Sequence, residues 1–255
     1  MGNIDIHDRV NEAYYGTLGS ESFIAATRER VHWIGARTFG KYVLDVGCSQ
    51  GIQAILLGRE GREVVAIDIS ERSIKEANEY LKKEEKSTQE RVEFLQADFI
   101  NFISENKYDT IIMSEVLEHL MDPIPFIEKA KECLKEDGVL LVSVPFGIND
   151  YIDHKRTYYY GDMFSYLSKY FQIKEFEIIG KWIGFVCKNS NIRKQEIDIN
   201  DLRYIEKNFY ILERNLVNSN NRLRDKDKEL QTRLQDKDKE LQTRLQDKDL
   251  SLIHI

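Results

Sequence analysis

Short apolar runs alternate with longer amphipathic stretches through the first 145 residues of the chain. The runs at 43–46, 63–69, 92–96 and 108–113 have the length of β-strands, and a turn at 134–138 leads into a fifth run. Between them, apolar positions three and four residues apart indicate helices. Strands that alternate with helices pair in parallel, because each connection crosses a face of the sheet. The pattern predicts an α/β fold with a doubly wound, mostly parallel sheet.

The predicted helices carry start signals. Ser20 or Ser22 is suited to cap a helix over 20–36, and Ser70 a helix over 71–83. Another helix is expected over 158–170, loops at 14–16, 84–90 and 146–157, and a pair of strands at 172–180 and 182–188. The polar run Asn189–Asn191 then ends the globular part, which gives a first domain over 1–190 and a helical segment over 191–255.

The helical segment has the pattern of a coiled coil. From Arg224 to Asp249 the sequence repeats every eleven residues, without glycine or proline. Eleven residues in three turns keep an apolar stripe on one face, as in a straight or weakly right-handed coiled coil. A helix this polar buries its stripe only against other helices, so an oligomer of two to four parallel chains is expected. The alternatives are a solvated single helix and disorder. Residues 250–255 depart from the repeat. The stripe leucines alternate at spacings of seven and four: Leu223, Leu230, Leu234, Leu241 and Leu245.

The first candidate ligand-binding residues lie at a glycine turn that ends the first strand. Residues 43–51 read Val-Leu-Asp-Val-Gly-Cys-Ser-Gln-Gly, and Asp68 ends the next strand. Glycines let a backbone approach a ligand closely, and a carboxylate at the next strand end accepts hydrogen bonds from ribose hydroxyls. Asp45 at this turn would repel a pyrophosphate but attract a sulfonium or ammonium group. A nucleoside-bearing cofactor at the carboxyl edge of the sheet is therefore predicted.

This run resembles motif I of the class I S-adenosylmethionine (SAM) methyltransferases. Ala97-Asp98 after the third strand, the fourth strand at 108–113 and the turn into the fifth at 134–142 match that family in the same order. The resemblance covers roughly 42–145 and implies a seven-stranded sheet. Ser49 departs from it, since a second glycine is common there. The cofactor contacts that the resemblance implies are Asp45, Gly47, Cys48, Gly51, Asp68, Ile69, Ala97, Asp98, Ser114 and Glu115.

Candidate catalytic residues follow the fourth strand. Glu115, Glu118 and His119 are spaced i, i+3 and i+4, so on a helix they share one face. Either His119 acts as a base or orienting group for an acceptor hydroxyl, or the three residues ligate a divalent metal such as Mg²⁺, or their role is structural. His154, in the loop after the fifth strand, is a candidate second base or substrate contact. Cys48 is interpreted as a small residue that fits the turn.

Composition limits the partners. The formal net charge of −7 makes nucleic acid an unlikely partner. Three scattered cysteines without metal-ligand spacing favour a reduced, cytoplasmic setting, and no apolar stretch reaches the length of a membrane span. The mean hydropathy of −0.49 is skewed by the polar C-terminal third.

The sequence leaves several alternatives for the molecule that accepts the methyl group. A methyltransferase joined to a repetitive coiled coil resembles bacterial surface-polysaccharide enzymes, which favours O-methylation of a glycan with the coiled coil as a scaffold. A small-RNA 2′-O-methyltransferase is one alternative, suggested by Glu115, Glu118, His119 and His154. A quinone-like small-molecule O-methyltransferase is another. The last is a coiled-coil assembly protein with a vestigial methyltransferase domain.

Overall fold

A computed structural model describes residues 9–104, 106–148, 151–190 and 195–253. The chain divides into two compact units, Met1–Glu196 and Ile197–Ile255. The first unit contains one seven-stranded sheet and its helices. The described part of the second forms a single long helix.

The sheet has the strand order β3-β2-β1-β4-β5-β7-β6. Strands β1 to β5 are parallel, and β7 runs antiparallel to both β5 and β6. The order reverses between β1 and β4, so the carboxyl ends of these two strands flank the crevice where doubly wound sheets bind ligands. The strands are β1 (Tyr42–Val46), β2 (Glu63–Asp68), β3 (Val92–Gln96), β4 (Tyr108–Ser114), β5 (Leu134–Pro145), β6 (Gln172–Ile179) and β7 (Trp182–Lys188).

Helices flank the sheet, and the predicted α/β fold is confirmed. Ser20 caps its helix by accepting a hydrogen bond from the Phe23 N–H, and Ser70 does the same for Ser73. The helices of the first unit are α1 (Val10–Tyr15), α2 (Glu21–Arg37), α3 (Ile52–Arg59), α4 (Glu71–Leu81), α5 (Lys86–Gln89), α6 (Ile124–Cys133) and α7 (Tyr160–Leu167), with a 3₁₀ turn at Leu117–His119.

Two expected loops are wrong in part. Tyr14 and Tyr15 belong to α1, which ends at Gly16 in the left-handed conformation that favours glycine. The expected loop at 84–90 contains α5. The helices expected at 71–83 and 158–170 are shorter, because the first is capped at Lys82 and the second begins only at Tyr160.

The core lies between the sheet and its helices. Val43, Leu57 and Ala66 are fully buried, and Trp33 from α2 packs into the same cluster. Trp33 reaches the sheet because Gly184 in β7 has no side chain: a Cβ there would lie 2.6 Å from the indole ring. This packing fixes α2 beside the strands that form the site.

The second unit is α8 (Ile199–Ile253), so the predicted long helix is confirmed. Its 55 residues extend over about 80 Å at 1.5 Å per residue. In the described part of the chain, no helix has both the length and the apolar character that a bilayer crossing requires.

Candidate functional site

The glycine turn between β1 and α3 has an unusual backbone. Gly47, Ser49 and Gly51 all have positive φ, at 71°, 48° and 82°. A Cβ on Gly51 would lie 2.3 Å from the Phe94 ring, so only glycine fits there. Ser49 adopts the left-handed conformation without being glycine, at the position where the class I pattern commonly has one. The turn therefore keeps the backbone conformation that glycine favours, although serine occupies this position.

Asp68 holds this turn at the end of β2. One carboxylate oxygen accepts a hydrogen bond from the Ser49 N–H at 2.9 Å, and the other accepts one from the Ser70 N–H at 2.8 Å. Cys48 is buried in the same turn, and burial together with the charges of Asp45 and Asp68 raises the pKa of its thiol well above the ordinary value. A protonated, buried thiol is a poor nucleophile, which fits its interpretation as a small turn residue.

Asp45 lies buried at the carboxyl end of β1, 3% exposed. Its Oδ2 atom has no hydrogen-bond partner among the described residues. Burial, and then the nearby Asp68 carboxylate, raise the pKa of Asp45 to about 7. A buried acid without a counter-ion is costly, so this position is suited to a cation supplied by a ligand.

Helix α1 is tied to the glycine turn by one residue that sequence reasoning missed. The buried Asn11 side chain donates to the Gln50 carbonyl at 2.9 Å and accepts from the Ile52 N–H at 3.1 Å. The Asn11 N–H donates to the Gln50 side chain at 3.0 Å. The N-terminal helix and the turn therefore form one hydrogen-bonded unit, which no local pattern signals.

The remaining predicted cofactor residues form the outer edge of the crevice. Ile69 is exposed (73%), and Ala97 follows β3, where its N–H donates to the Asp68 carbonyl. Asp98 is exposed and accepts hydrogen bonds from the Ile100 N–H and the Asn101 side chain. These residues lie at the ends of β2 and β3, as predicted.

Ser114 and Glu115, at the end of β4, contact a buried arginine that sequence reasoning missed. Arg30 of α2 donates to the Ser114 hydroxyl at 2.8 Å and lies 3.6 Å from a Glu115 carboxylate oxygen. Its guanidinium stacks on the Trp182 ring, and the Trp182 indole N–H donates to Glu115. The Arg30 Nε atom has no hydrogen-bond partner among the described residues. A buried cation is thus held at the carboxyl end of β4.

The expected helix carrying Glu115, Glu118 and His119 is wrong. The segment forms only the short 3₁₀ turn, and Glu115 precedes it with a φ of 61°. Glu115 therefore turns toward Arg30 and Trp182 rather than toward the other two residues.

His154 joins Glu118 and His119 instead. One potential ligand atom from each residue lies within 4.8 Å of the other two. The His119 and His154 rings meet edge to face, with centroids 5.0 Å apart. The structure therefore brings three of the predicted catalytic residues together, and Glu118, His119 and His154 form a group that could hold a metal ion.

Asp153 is a further neighbour that sequence reasoning missed. Its Oδ2 atom lies 3.0 Å from the His119 Nδ1 atom. A carboxylate at Nδ1 favours the tautomer in which Nδ1 carries the proton, which leaves the lone pair on Nε2. The pair can therefore orient His119 for proton abstraction or for ligation.

Backbone hydrogen bonds hold the two segments of this cluster together. The N–H groups of Lys155 and Arg156 donate to the Glu118 carbonyl, at 2.8 and 3.2 Å. The Tyr158 hydroxyl donates to the Leu117 carbonyl. The loop after β5 is thereby fixed over the 3₁₀ turn.

The two segments that carry the histidines also carry exposed apolar side chains. Met121, Ile148 and Ile152 are 75%, 79% and 67% exposed, and all three lie in the two segments that carry His119 and His154. Exposed apolar side chains beside polar reactive groups are typical of a site for a ligand with an apolar body.

The sequence of this chain is similar to those of known methyltransferases. The profile of a family described as "Methyltransferase domain" matches residues 23–188. The ubiquinone biosynthesis O-methyltransferase of Actinobacillus pleuropneumoniae serotype 5b is 34% identical over 111 residues, which cover 41% of this chain and 46% of that protein. The mitochondrial enzyme of the same name from Bos taurus is 32% identical over 44% of this chain and 30% of its own length. This chain spans about half or less of these curated relatives.

Solved structures match over a longer region at lower identity. Magnesium protoporphyrin IX methyltransferase from Synechocystis PCC 6803, with bound SAM, has a TM-score of 0.56 and 21% identity over 72% of this chain and 90% of its own. The [4+2]-cyclase SpnF has a TM-score of 0.59 and 16% identity over 68% and 84%. Because the two carry different activities, these likenesses show the fold.

Proposed function

Because the chain belongs to the methyltransferase domain family, we propose that it transfers the methyl group of SAM to a hydroxyl of a small, largely apolar acceptor. The observation that carries this proposal is the His119–Asp153 pair, which lies in two segments that also carry exposed apolar side chains. The names of the curated relatives support an O-methyltransferase with a quinone-like acceptor. They favour this alternative over the glycan expected from the architecture.

The cofactor is assigned to the turn and the three strand ends. Asp68 would accept hydrogen bonds from the ribose hydroxyls, with Asp98 and Ile69 toward the adenine. Asp45 has a buried oxygen without a hydrogen-bond partner and an elevated pKa, so it is suited to the positive charges of the sulfonium and ammonium groups. The residues present thus fit SAM.

Arg30 is assigned to the methionine carboxylate. Arg30 is 8% exposed, and its Nε–H has no acceptor among the described residues. A carboxylate pairs well with a guanidinium, because two parallel hydrogen bonds match its geometry. Asp45 and Arg30 would therefore hold the two charged ends of the amino acid.

His119 is assigned as the base. In the transfer the sulfur–carbon bond breaks as the acceptor oxygen bonds the methyl carbon, and S-adenosylhomocysteine leaves. The hydroxyl proton moves to His119 Nε2, and Asp153 at Nδ1 stabilises the resulting imidazolium. Since the donor is already activated, orientation and this proton transfer are the main tasks left to the chain.

A divalent metal at Glu118, His119 and His154 remains the alternative for the same residues. The donor set of two imidazoles and one carboxylate suits Mn²⁺, Fe²⁺ or Zn²⁺ better than Mg²⁺, which prefers oxygen ligands. Such an ion would lower the pKa of an acceptor hydroxyl. Asp153 would then orient His119 as a ligand.

The test is methyl transfer from labelled SAM by the full chain to three acceptor classes: a dihydroxylated aromatic, an oligosaccharide and a short RNA duplex. Labelling of the aromatic alone is expected. Labelling of the oligosaccharide or the RNA alone would replace the proposed acceptor, and no binding of SAM by calorimetry would reject the function.

Chelation separates the two roles of His119. With EDTA, a base needs no added ion and activity persists, whereas a metal site loses activity and regains it with Mn²⁺ more than with Mg²⁺. Asp153→Asn should lower kcat more than it raises KM, because a positioning residue acts on the reacting pair and not on acceptor binding. Glu136→Gln, a carboxylate-to-amide change at an exposed position of β5, is the control.

A further inference from the structure

We propose that α8 is a binding surface for a second copy of this chain, in a parallel, in-register coiled coil. Its leucine stripe is exposed in the single chain: Leu223, Leu230, Leu234 and Leu241 are 57–65% exposed. The leucines recur with the eleven-residue repeat, so an identical helix presents an identical stripe at every height.

The repeat fixes where each residue lies around the helix. With three turns per eleven residues, successive residues are about 98° apart. Leu230 and Leu241 then share one direction, and Leu223 and Leu234 lie about 33° away. The leucines form one narrow stripe that keeps its direction from repeat to repeat.

Opposite charges border this stripe. Between Leu223 and Leu230, Lys226 and Asp227 lie about 50° to either side of the centre of the leucine stripe. Lys237 and Asp238 occupy the same two positions one repeat later. One border is therefore basic and the other acidic, at the same height. Within a single copy, Lys237 and Asp238 form no hydrogen bond or ion pair with another described residue.

This arrangement selects the parallel orientation. When parallel copies face each other in register, rotation about the common axis brings the lysine border of one copy against the aspartate border of the next. In the antiparallel orientation, the lysine borders face each other and so do the aspartate borders. Like charges directly opposite are unfavourable, so charge complementarity favours parallel, in-register helices.

The other charges are compatible with close association. Glu229 pairs with Arg233 at 2.8 Å and Glu240 with Arg244 at 2.7 Å, each within one helix and farther from the stripe centre. The segment 224–234 contains three acids and four bases, and 235–245 contains three acids and three bases, so the repeats are nearly neutral. The repeats therefore add little net-charge repulsion between copies.

The first test is the mass of the full chain by analytical ultracentrifugation at tens of micromolar. An oligomer of two to four copies is expected for the parent. Leu230→Asp with Leu241→Asp should reduce the mass to that of one chain, and Thr232→Asp with Thr243→Asp, on the opposite side of the helix, should retain the oligomer. A monomeric parent, or equal masses for the two double variants, would overturn the proposal.

The second test determines orientation. Leu223→Cys and Leu241→Cys, in separate full-length variants, should each form a disulfide between copies under mild oxidation. An antiparallel pair brings at most one of these positions opposite itself. Thr232→Cys is the control for random collision, and the parent, with its three native cysteines, sets the background. Cross-linking of one leucine position only, or equal cross-linking of Thr232→Cys, would overturn the parallel register.

The third test concerns the borders. Lys226→Asp with Lys237→Asp makes both borders acidic, and Asp227→Lys with Asp238→Lys makes both basic. Each double variant alone should dissociate at a concentration at least tenfold higher than the parent, and an equimolar mixture should regain the parent's association. Unchanged association of both variants alone would overturn the role of the charges.

Discussion

Replacing Asp45 by asparagine should change the pH dependence of SAM binding. In the free protein, the pKa of the Asp45 carboxyl is raised to about 7, so a large share of the chains carry a proton there at neutral pH. A sulfonium or ammonium group beside Asp45 is stabilised only by the ionised form. Binding must therefore release that proton, and it should weaken as the pH falls.

The magnitude follows from the fraction of chains that are ionised. The apparent Kd equals the intrinsic Kd divided by that fraction. With a pKa of about 7, the fraction is roughly 0.9 at pH 8 and roughly 0.1 at pH 6, so the affinity should fall about tenfold between them. This corresponds to about 1.4 kcal/mol.

Calorimetry at pH 6, 7 and 8 on the parent and Asp45→Asn measures this effect. The amino group of the ligand titrates near pH 8 as well, so only the difference between the two proteins is assigned to Asp45. Asp45→Asn should bind more weakly than the parent at pH 8 and should lose the dependence below pH 7. An equal pH dependence in both proteins would refute the reasoning.

Replacing the Asp45 carboxyl should also stabilise the ligand-free protein at high pH. A raised folded-state pKa means that stability is fully present below the unfolded value of 3.8 and is lost as the pH rises through about 7. The full loss is at most about 4 kcal/mol. Asp45→Asn should therefore unfold at a higher temperature than the parent at pH 8 without ligand, and at a similar temperature at pH 4.

Other substitutions test the rest of the site. His119→Ala should lower turnover by about 10²–10⁴ with SAM affinity nearly unchanged; full activity would leave His119 a structural role. Asp68→Ala should weaken SAM binding by roughly 1.5–3 kcal/mol, measured by calorimetry, with Glu71→Ala at the exposed start of α4 as the control. Asn11→Ala should destabilise the protein by about 1–3 kcal/mol in chemical denaturation, because buried groups of the turn lose their partners, and unchanged stability would mean that α1 holds the turn without it.

The strands and the glycine turn were predictable because their signals are local. A five-residue apolar run such as Val92–Gln96 indicates a strand wherever it occurs, and glycine marks the left-handed turn positions. Gly16 marks the end of the helix that contains Tyr14 and Tyr15. That helix was not predicted, because its six residues are too few to show a helical period.

The partners within the site were less predictable because they are distant in sequence. Arg30 meets Ser114 across 84 positions, and nothing near Arg30 distinguishes it from the other charges of α2. The helix predicted around Glu118 failed because Glu115 adopts a positive φ, which hydrogen bonding of its N–H to Ser143 and of its carboxylate to Trp182 maintains. Tertiary contacts here overrode the i, i+3, i+4 spacing.

The attachment of the loop after β5 has a consequence for how acceptor preference can change. The main-chain N–H groups of Lys155 and Arg156 attach it to the 3₁₀ turn, and any residue other than proline retains them. The side chains of Arg156 and Tyr158 complete the attachment through the Met121 and Leu117 carbonyls. Side chains such as Ile152 can therefore be exchanged while the His119–Asp153 distance stays fixed. The loop separates the two demands on the site: its backbone preserves the reacting pair, and its side chains are available to adapt to a new acceptor.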